Sequence, residues 1–359
     1  MAATFKDKAL LVPAFSLVIA RALLAFIASP FRGKNGAPTV TEHVINTALR
    51  TFFLHSSVAQ LQLICPPFVS TYEGWCKKRS IRRDIVDIPK TKAKGFWVGS
   101  KDSAKYHMVY FHGGGFVMPG LPPHIDFLWR LVESSNGKLA VFAVAYTLAP
   151  KDVYPLQIGE CVEALRYVLS LPGRTPQTTL LGGDSAGGPL LLAVLSHVSG
   201  HPHPQSNISN IVRPLDISGK LCGAIAMAPM TSCDDSKFKS LTNSATRDSV
   251  HPTFAKRWLE AWKGGAKDDE YIVPASAPAS WWSGTKVSSM LVTVGEDEIL
   301  HDPVISFVET FKRGAGVDIL TLVAGKKECH VAPLRHDSDS LREGSQEAGI
   351  KTWMTEILK

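Results

Sequence analysis

One serine of this chain stands in the surroundings that nucleophilic catalysis needs. Ser185 is the centre of "GDSAG" (183–187), which follows an apolar run and precedes a helix-length segment. A strand-to-helix turn this sharp requires small residues two positions away on each side, because larger side chains would collide. The pattern predicts a hydroxyl exposed at the carboxyl end of a sheet, with the amide of Ala186 and a helix N-terminus beside it.

A glycine-rich stretch can stabilise the negative oxygen that forms when a serine attacks a carbonyl. The run "HGGGF" (112–116) directly follows the apolar "MVYF". Glycine permits close approach and unusual backbone angles, so the amides of Gly114 and Gly115, together with Gly113, are predicted to donate to an oxyanion. His112 precedes the serine in the chain, and we expect it to brace this loop rather than to act as the base.

The elements that would carry these loops alternate between strand-like and helix-like segments, which is typical of an α/β sheet. Buried strands are predicted at 108–111, 139–146, 178–183, 221–228 and 289–295. Helices are predicted at 124–135, 156–170, 186–198, 302–314 and 341–358. Residues 1–75 and 230–285 break this alternation, and the two regions could combine as a cap over one end of the sheet.

Three motifs together resemble the hormone-sensitive lipase-like branch of the α/β-hydrolases, also called family IV esterases. They are "HGGGF", "GDSAGG" (183–188) and "YTLAP" (146–150), within a similar region of roughly residues 100–335. The resemblance implies an eight-stranded, mostly parallel sheet with flanking helices and a helical cap, and hydrolysis of carboxylic esters without a cofactor or metal. The expected division is 1–75 as N-terminal cap, 76–229 and 286–359 as core, and 230–285 as cap insertion.

The same resemblance places the acid and then the histidine after the serine in the chain. His330 lies in "AGKKECHVAP" (324–333), behind the strand-like run 317–323, and matches the late loop histidine of the family. The other histidines that follow Ser185 lack this setting. His330 is therefore the predicted general base.

The acid is less sharply defined, because the chain reads "GEDEILHD" (295–302) where the family often carries D-P-L-x-D. A gapless match of Leu300 and Asp302 to that pattern puts Glu298 at the position of the catalytic carboxylate. Asp297 remains the alternative. Either carboxylate could hold the imidazole in the tautomer that accepts a proton from serine.

Composition excludes some classes of protein and leaves the N-terminus open. The chain of 359 residues carries a formal net charge of +7, but its basic residues are scattered, which argues against nucleic-acid binding. The six cysteines are far apart and form no C-x-x-C pair, as expected for reduced core residues of an intracellular, cytoplasmic protein. The apolar stretch 9–31 contains Pro13 and Arg21. It fits an amphipathic helix on the protein or on a membrane face, an anchor, or a signal peptide.

The sequence thus predicts a serine hydrolase that acts on a small-molecule ester through an acyl-enzyme on Ser185. An acyltransferase with an alcohol, amine or thiol acceptor would carry the same residues. A ligand-binding relative without catalysis is a further alternative, against which the presence of His330 argues. Aromatic residues in the two cap regions either line a site for a bulky apolar substrate or hold the cap together, and the sequence leaves the oligomeric state undetermined.

Overall fold

The computed structural model describes residues 4–204, 211–335 and 344–359. The centre of the molecule is one eight-stranded sheet with the strand order β1-β2-β4-β3-β5-β6-β7-β8. Its strands are β1 Ile85–Asp87, β2 Lys94–Val98, β3 Tyr106–Phe111, β4 Leu139–Ala145, β5 Thr179–Asp184, β6 Gly223–Met227, β7 Met290–Gly295 and β8 Leu320–Gly325. The pairings of β1 with β2 and of β2 with β4 are antiparallel, and the other strand pairings are parallel. The predicted fold class is confirmed.

The helices cover both faces of the sheet, as a mostly parallel sheet requires. Those of the core are α5 Pro122–Ser134, α6 Leu156–Ser170, α7 Gly187–Val198, α10 His301–Ala315 and α11 Ser345–Ile357. One apolar core joins α5 and α11 to one face, and a larger one joins α6, α7 and α10 to the other. The central strands β3, β5, β6 and β7 are buried along their whole length. This burial explains why their sequences read as continuous apolar runs.

The N-terminal region and the insertion between β6 and β7 form the remaining helices. They are α1 Phe5–Ala28, α2 Val40–His55, α3 Val58–Ile64, α4 Phe68–Arg79, α8 Ser240–Asn243 and α9 Pro252–Lys263. The amide of Asn46 on α2 donates to the carbonyl of Arg247 over 2.6 Å, and Arg257 on α9 donates to the carbonyl of Phe53 over 2.8 Å. The two regions that interrupt the α/β alternation are therefore in direct contact.

Candidate active site

The serine lies on a strained turn between β5 and α7. Its φ is +49°, a left-handed value that is uncommon for a residue with a side chain. A Cβ at Gly183 would collide with the carbonyl of Gly187, and a Cβ at Gly187 would collide with that of Phe111. The Ser185 amide donates to the carbonyl of Met227 over 2.9 Å, which fixes the turn to the neighbouring strand. Both glycines of the motif are thus required by close backbone packing.

The imidazole of His330 reaches this serine from the loop that follows β8. Its Nε2 lies 2.8 Å from Ser185 Oγ, within hydrogen-bond distance for proton transfer. The ring is buried, and the next residue, Val331, has a positive φ of 46°. The histidine predicted as general base therefore meets the predicted nucleophile in space, although the two are 145 positions apart.

The structure brings Glu298, and not Asp297, to the other side of the imidazole. Glu298 Oε1 lies 3.4 Å from His330 Nδ1, at the long end of the hydrogen-bond range. Its Oε2 accepts from the Gly295 amide over 2.8 Å, and its side chain is fully buried. Asp297 turns the other way and pairs with Arg247 Nη1 at 3.1 Å. Of the two candidate acids, only Glu298 can orient the base.

The electrostatics of this pair suit a histidine that takes up a proton during the reaction. Burial lowers the pKa of the His330 imidazole, but the hydrogen bond and charge of Glu298, together with the charges of Asp248 and Asp184, outweigh it, so the net pKa lies above its ordinary value. Burial raises the pKa of Glu298, and the contacts with His330 and the Gly295 amide oppose this rise only in part. An imidazolium that forms at His330 is therefore stabilised by a carboxylate that water does not screen.

Three backbone amides in the glycine loop and the serine turn are candidates for binding a negative oxygen. Within the described part of the chain, the N–H groups of Gly114, Gly115 and Ala186 donate to no other residue. Gly114 and Gly115 have positive φ values of 113° and 61°. A Cβ at Gly115 would collide with the ring of Trp258. Glycine is thus needed here for conformation and for space.

The sequence predicted that the Gly113 amide also donates to the oxyanion, but in the structure this amide has another partner. Its N–H donates to Asp184 Oδ1 over 2.8 Å and is not available to a substrate. The same carboxylate accepts from the hydroxyl of Tyr110 over 2.6 Å. Burial raises the pKa of Asp184, but His124 and these two donors lower it by more. The net pKa of Asp184 therefore lies below its ordinary value. Gly113 therefore anchors the loop to the residue before the nucleophile.

His112 braces the glycine loop from its other side. Its Nδ1 lies 2.6 Å from the carbonyl of Gly113, and its ring stacks on Tyr146 with centroids 4.2 Å apart. The Tyr146 hydroxyl donates to the carbonyl of His112 over 2.7 Å. Burial lowers the pKa of His112 to about 3, so this ring is neutral at physiological pH.

Sequence reasoning missed one buried carboxylate that bonds to both the loop of Glu298 and the loop of His330. Asp248, in the insertion, accepts from the amide of Ile299 over 2.9 Å and from the amide of His330 over 3.2 Å. It also accepts from the amide of Ser249 over 2.7 Å. Asp248 belongs to none of the motifs, and the contacts join segments that are 51 and 82 positions apart, so no sequence signal marks it.

The cap aromatics divide between the two interpretations that the sequence left open. Trp258 packs against Gly115 and therefore lies at the candidate donor loop. Trp262 stacks on Phe116 at 3.8 Å, whereas Trp282 packs on Phe307 and Phe311 of α10. Trp282 thus holds the cap to the core, whereas Trp258 and Trp262 contact the glycine loop at Gly115 and Phe116.

A cleft of about 880 Å³ opens beside the histidine loop. Its walls come from α2, α4 and α5, and include Cys329 and Ala332 on either side of His330. Ser185 and the glycine loop do not line it, so the cleft adjoins the site without containing the nucleophile. Among residues 4–204, 211–335 and 344–359, no group of three His, Cys, Asp or Glu side chains is arranged to hold a metal ion.

Comparisons with known proteins agree with this fold. A sequence profile described as alpha/beta hydrolase fold matches residues 108–334. The carboxylesterase/phospholipase LipF of Mycobacterium tuberculosis is 32% identical over 125 residues, which cover 33% of this chain and 32% of that protein. An acetyl-hydrolase of Streptomyces hygroscopicus is 24% identical over 221 residues, or 61% of this chain and 65% of that protein. The matched segments thus span less than two thirds of either relative.

A solved structure extends the likeness over more of the chain. The crystal structure of an esterase/lipase from an uncultured bacterium superposes with a TM-score of 0.64 at 23% sequence identity. The alignment covers 88% of this chain and 97% of that one. At this level of identity the likeness is one of fold.

Proposed function

Because the chain belongs to the α/β-hydrolase family, we propose that it is a serine hydrolase that cleaves carboxylic esters through an acyl-enzyme on Ser185. The observation that carries the proposal is the connected set of Ser185 Oγ, the His330 imidazole and the Glu298 carboxylate. The amides of Gly114, Gly115 and Ala186, which donate to no residue that the structure describes, support it further. The names of the relatives, carboxylesterase/phospholipase and acetyl-hydrolase, fit the same class of substrate.

In the first half of the reaction, Ser185 Oγ attacks the ester carbonyl while its proton passes to His330 Nε2. The carbonyl oxygen becomes negative and accepts hydrogen bonds from the glycine loop and Ala186. Glu298 holds the Nδ1 proton and stabilises the imidazolium. The tetrahedral intermediate then collapses, and His330 returns its proton to the alcohol that leaves.

In the second half, water takes the place of the departed alcohol. His330 removes a proton from this water, whose oxygen attacks the acyl-enzyme carbonyl. Collapse of the second tetrahedral intermediate releases the carboxylic acid and returns the proton to Ser185. An alcohol, amine or thiol acceptor in place of water would give acyl transfer, so product analysis with added acceptors distinguishes the two outcomes.

The direct test replaces the nucleophile. Ser185→Ala should remain folded and lose p-nitrophenyl ester hydrolysis by several orders of magnitude, as loss of a triad nucleophile generally causes. Retention of more than about a tenth of the wild-type turnover would reject Ser185 as the nucleophile. A series of p-nitrophenyl esters from acetyl to palmitoyl defines the acyl length that the site accepts.

We further propose that residues 1–75 and 230–285 form one cap over the core segments 76–229 and 286–359. The contacts of Asn46 with Arg247 and of Arg257 with Phe53 support this division. Since the six cysteine thiols are free, a reducing, intracellular location remains our expectation. Among the described residues, the segment Phe5–Phe31 is long and apolar enough to cross a membrane.

A further inference from the structure

The outward face of α1 is mostly apolar, interrupted by the exposed Lys8 and Ser16, and no residue that the structure describes covers it. Its exposed large side chains are Phe5, Leu10, Val12, Phe15, Ile19, Leu23, Leu24, Phe26 and Ile27, followed by Phe31. Their spacing of three and four residues puts most of them on one side of the helix. A helix of 24 residues is about 36 Å long, so this face is much larger than the isolated apolar residues of an ordinary surface.

The opposite face of α1 is fastened to the cap. Small side chains, Ala14 and Ala25, are buried there, and α2 packs along the helix. At the N-terminal end, Gln60 Nε2 donates to the carbonyl of Asp7 over 2.9 Å, and the Ser57 hydroxyl donates to the Asp7 carboxylate over 3.1 Å. These contacts hold the helix flat against the protein, with its apolar side turned outward.

A row of aromatic rings leads from this helix to the active site. Phe15 of α1 stacks on Phe52 with centroids 5.5 Å apart, and Phe52 lies 5.7 Å from Phe53. Phe53 meets the edge of Trp258 at 5.4 Å, and Trp258 packs on Gly115. The apolar surface and the candidate oxyanion loop are thus joined by consecutive ring contacts.

We propose that the outward face of α1 lies in the plane of a lipid bilayer and that the enzyme takes its esters from that lipid phase. Lipid is the occupant that matches the charges: the exposed Lys6 and Lys8 at one end, and Lys34 at the other, can meet anionic headgroups. A helix docked along one side buries its free face to the depth of the headgroup and acyl boundary. The choice of lipid-soluble esters rests on the proposed hydrolase function, whereas the binding itself does not.

The test of binding uses the full chain carrying Ser185→Ala, so that hydrolysis plays no part. It should float with vesicles of phosphatidylcholine and phosphatidylglycerol, and Ile19→Glu with Leu23→Glu should reduce the bound fraction at least tenfold. Val317→Glu changes an exposed apolar residue away from α1 and should leave binding intact. A tag placed before Thr4 should stay open to protease added outside the vesicles.

Failure of the full chain to bind, or equal binding of the helix variant and the Val317 control, would overturn the membrane proposal. Protection of the tag would show a spanning helix and would overturn the in-plane arrangement. With the serine restored, the helix variant should lose turnover of an ester dissolved in the vesicles and retain turnover of soluble p-nitrophenyl acetate. Equal loss on both esters would refute the lipid route, and absence of all turnover in the wild type would refute the hydrolase function instead.

The Asp248 carboxylate joins the loop that carries Glu298 to the loop that carries His330. It bonds to the backbone amides of Ile299, the neighbour of Glu298, and of His330 itself. The side chain is fully buried. A buried carboxylate that accepts several amide hydrogen bonds holds the donors at fixed places, because leaving either amide unpaired in the interior is costly.

The N-terminal cap holds Asp248 in turn. Arg50 Nη1 of α2 donates to the Asp248 carbonyl over 2.6 Å, and Asn46 donates to the carbonyl of Arg247. Arg247 pairs with Asp297. The segment that carries Asp248 is therefore fixed between α2 and the loop after β7.

We propose that Asp248 is a positioning residue that keeps Glu298 and His330 at their working separation. Asp248→Asn puts an amide N–H where one of the backbone donors needs an acceptor. Loss of one hydrogen bond to a charged group is worth about 1.5 to 3 kcal/mol, so we expect kcat to fall roughly 10- to 100-fold with KM within twofold. Asp234→Asn, in an exposed turn of the same insertion, should leave both constants unchanged.

A pH profile separates this role from a general loss of structure. The carboxylates that raise the pKa of His330 are Glu298, Asp248 and Asp184. Removing one negative charge should therefore move the acid limb of kcat/KM to lower pH, which a merely structural defect would not do. If Asp248→Asn does not fold, Arg50→Ala should show a smaller fall in kcat at constant KM. Folded variants with kcat within threefold of the wild type, or with the whole effect in KM, would overturn the assignment.

Discussion

Replacing each of the two neighbouring carboxylates in the loop after β7 by its amide, in separate variants, gives a sharp test of the site. Glu298→Gln removes the negative charge that faces His330 Nδ1 at 3.4 Å, whereas Asp297→Asn removes a charge paired with Arg247 at 3.1 Å. Both changes keep the size of the side chain. The pair of variants therefore compares the loss of charge at two adjacent positions.

The expected magnitudes follow from distance and exposure. At 3.4 Å and an effective dielectric constant of about 20, a carboxylate stabilises an imidazolium by about 5 kcal/mol. Glutamine can still accept a neutral hydrogen bond worth about 1 kcal/mol, so we expect Glu298→Gln to lower kcat roughly 10³-fold. The Asp297 pair is partly exposed, and such pairs are worth at most about 1 kcal/mol, so Asp297→Asn should cost less than about fivefold.

The assay measures kcat and KM for p-nitrophenyl acetate from pH 5 to 9 for both variants. Thermal unfolding shows that each protein is folded, and Ser185→Ala supplies the baseline. If Asp297→Asn loses more turnover than Glu298→Gln, or if Glu298→Gln keeps more than a tenth of the wild-type kcat, then Glu298 is not the carboxylate that stabilises the imidazolium.

Three further predictions concern pH and the N-terminal helix. His330 must be neutral to accept the serine proton and its pKa is raised, so kcat/KM of the wild type should fall as pH drops through a midpoint above 6.5; a midpoint below 6.5 would contradict the contact with Glu298. Burial raises the pKa of Glu160 from 4.5 to about 7, although the amide and hydroxyl of Thr147 oppose this shift. The folded state therefore favours the protonated acid. The stability that Glu160 contributes in this way is fully present below pH 4.5 and is lost as pH rises through 7. Glu160→Gln should then raise the free energy of unfolding at pH 8 by up to about 3 kcal/mol and change it less at pH 5, and equal effects in urea unfolding at both pH values would argue against this titration. Deletion of residues 1–30 should change the preference for acyl chain length, because α1 reaches the oxyanion loop through the aromatic row; unchanged kcat and KM across the ester series would separate α1 from the site.

Local signals in the sequence predicted the parallel strands β3 to β8 and the helices that flank them, but not β1 and β2, and the eight-stranded fold came from the family resemblance. Buried parallel strands read as continuous apolar runs, and the elbow around Ser185 needs two glycines at fixed spacing, so both can be recognised without a structure. The resemblance to α/β-hydrolases and the eight-stranded, mostly parallel sheet were confirmed. The roles of Ser185 and His330 stay predictions, although the structure puts the two side chains in contact.

The tertiary structure decided what depends on the direction of a side chain. Glu298 and Asp297 are adjacent in the chain, and only the packing of the loop turns one to His330 and the other to Arg247. The amide of Gly113 is taken by Asp184, which no pattern of glycines can reveal. Asp248 forms hydrogen bonds with segments that are far away in sequence. The apolar stretch after Lys8 forms a helix with one side packed on the protein and the other side exposed. Residue types and spacing determine local chemistry, but contacts between distant segments form only when the chain folds.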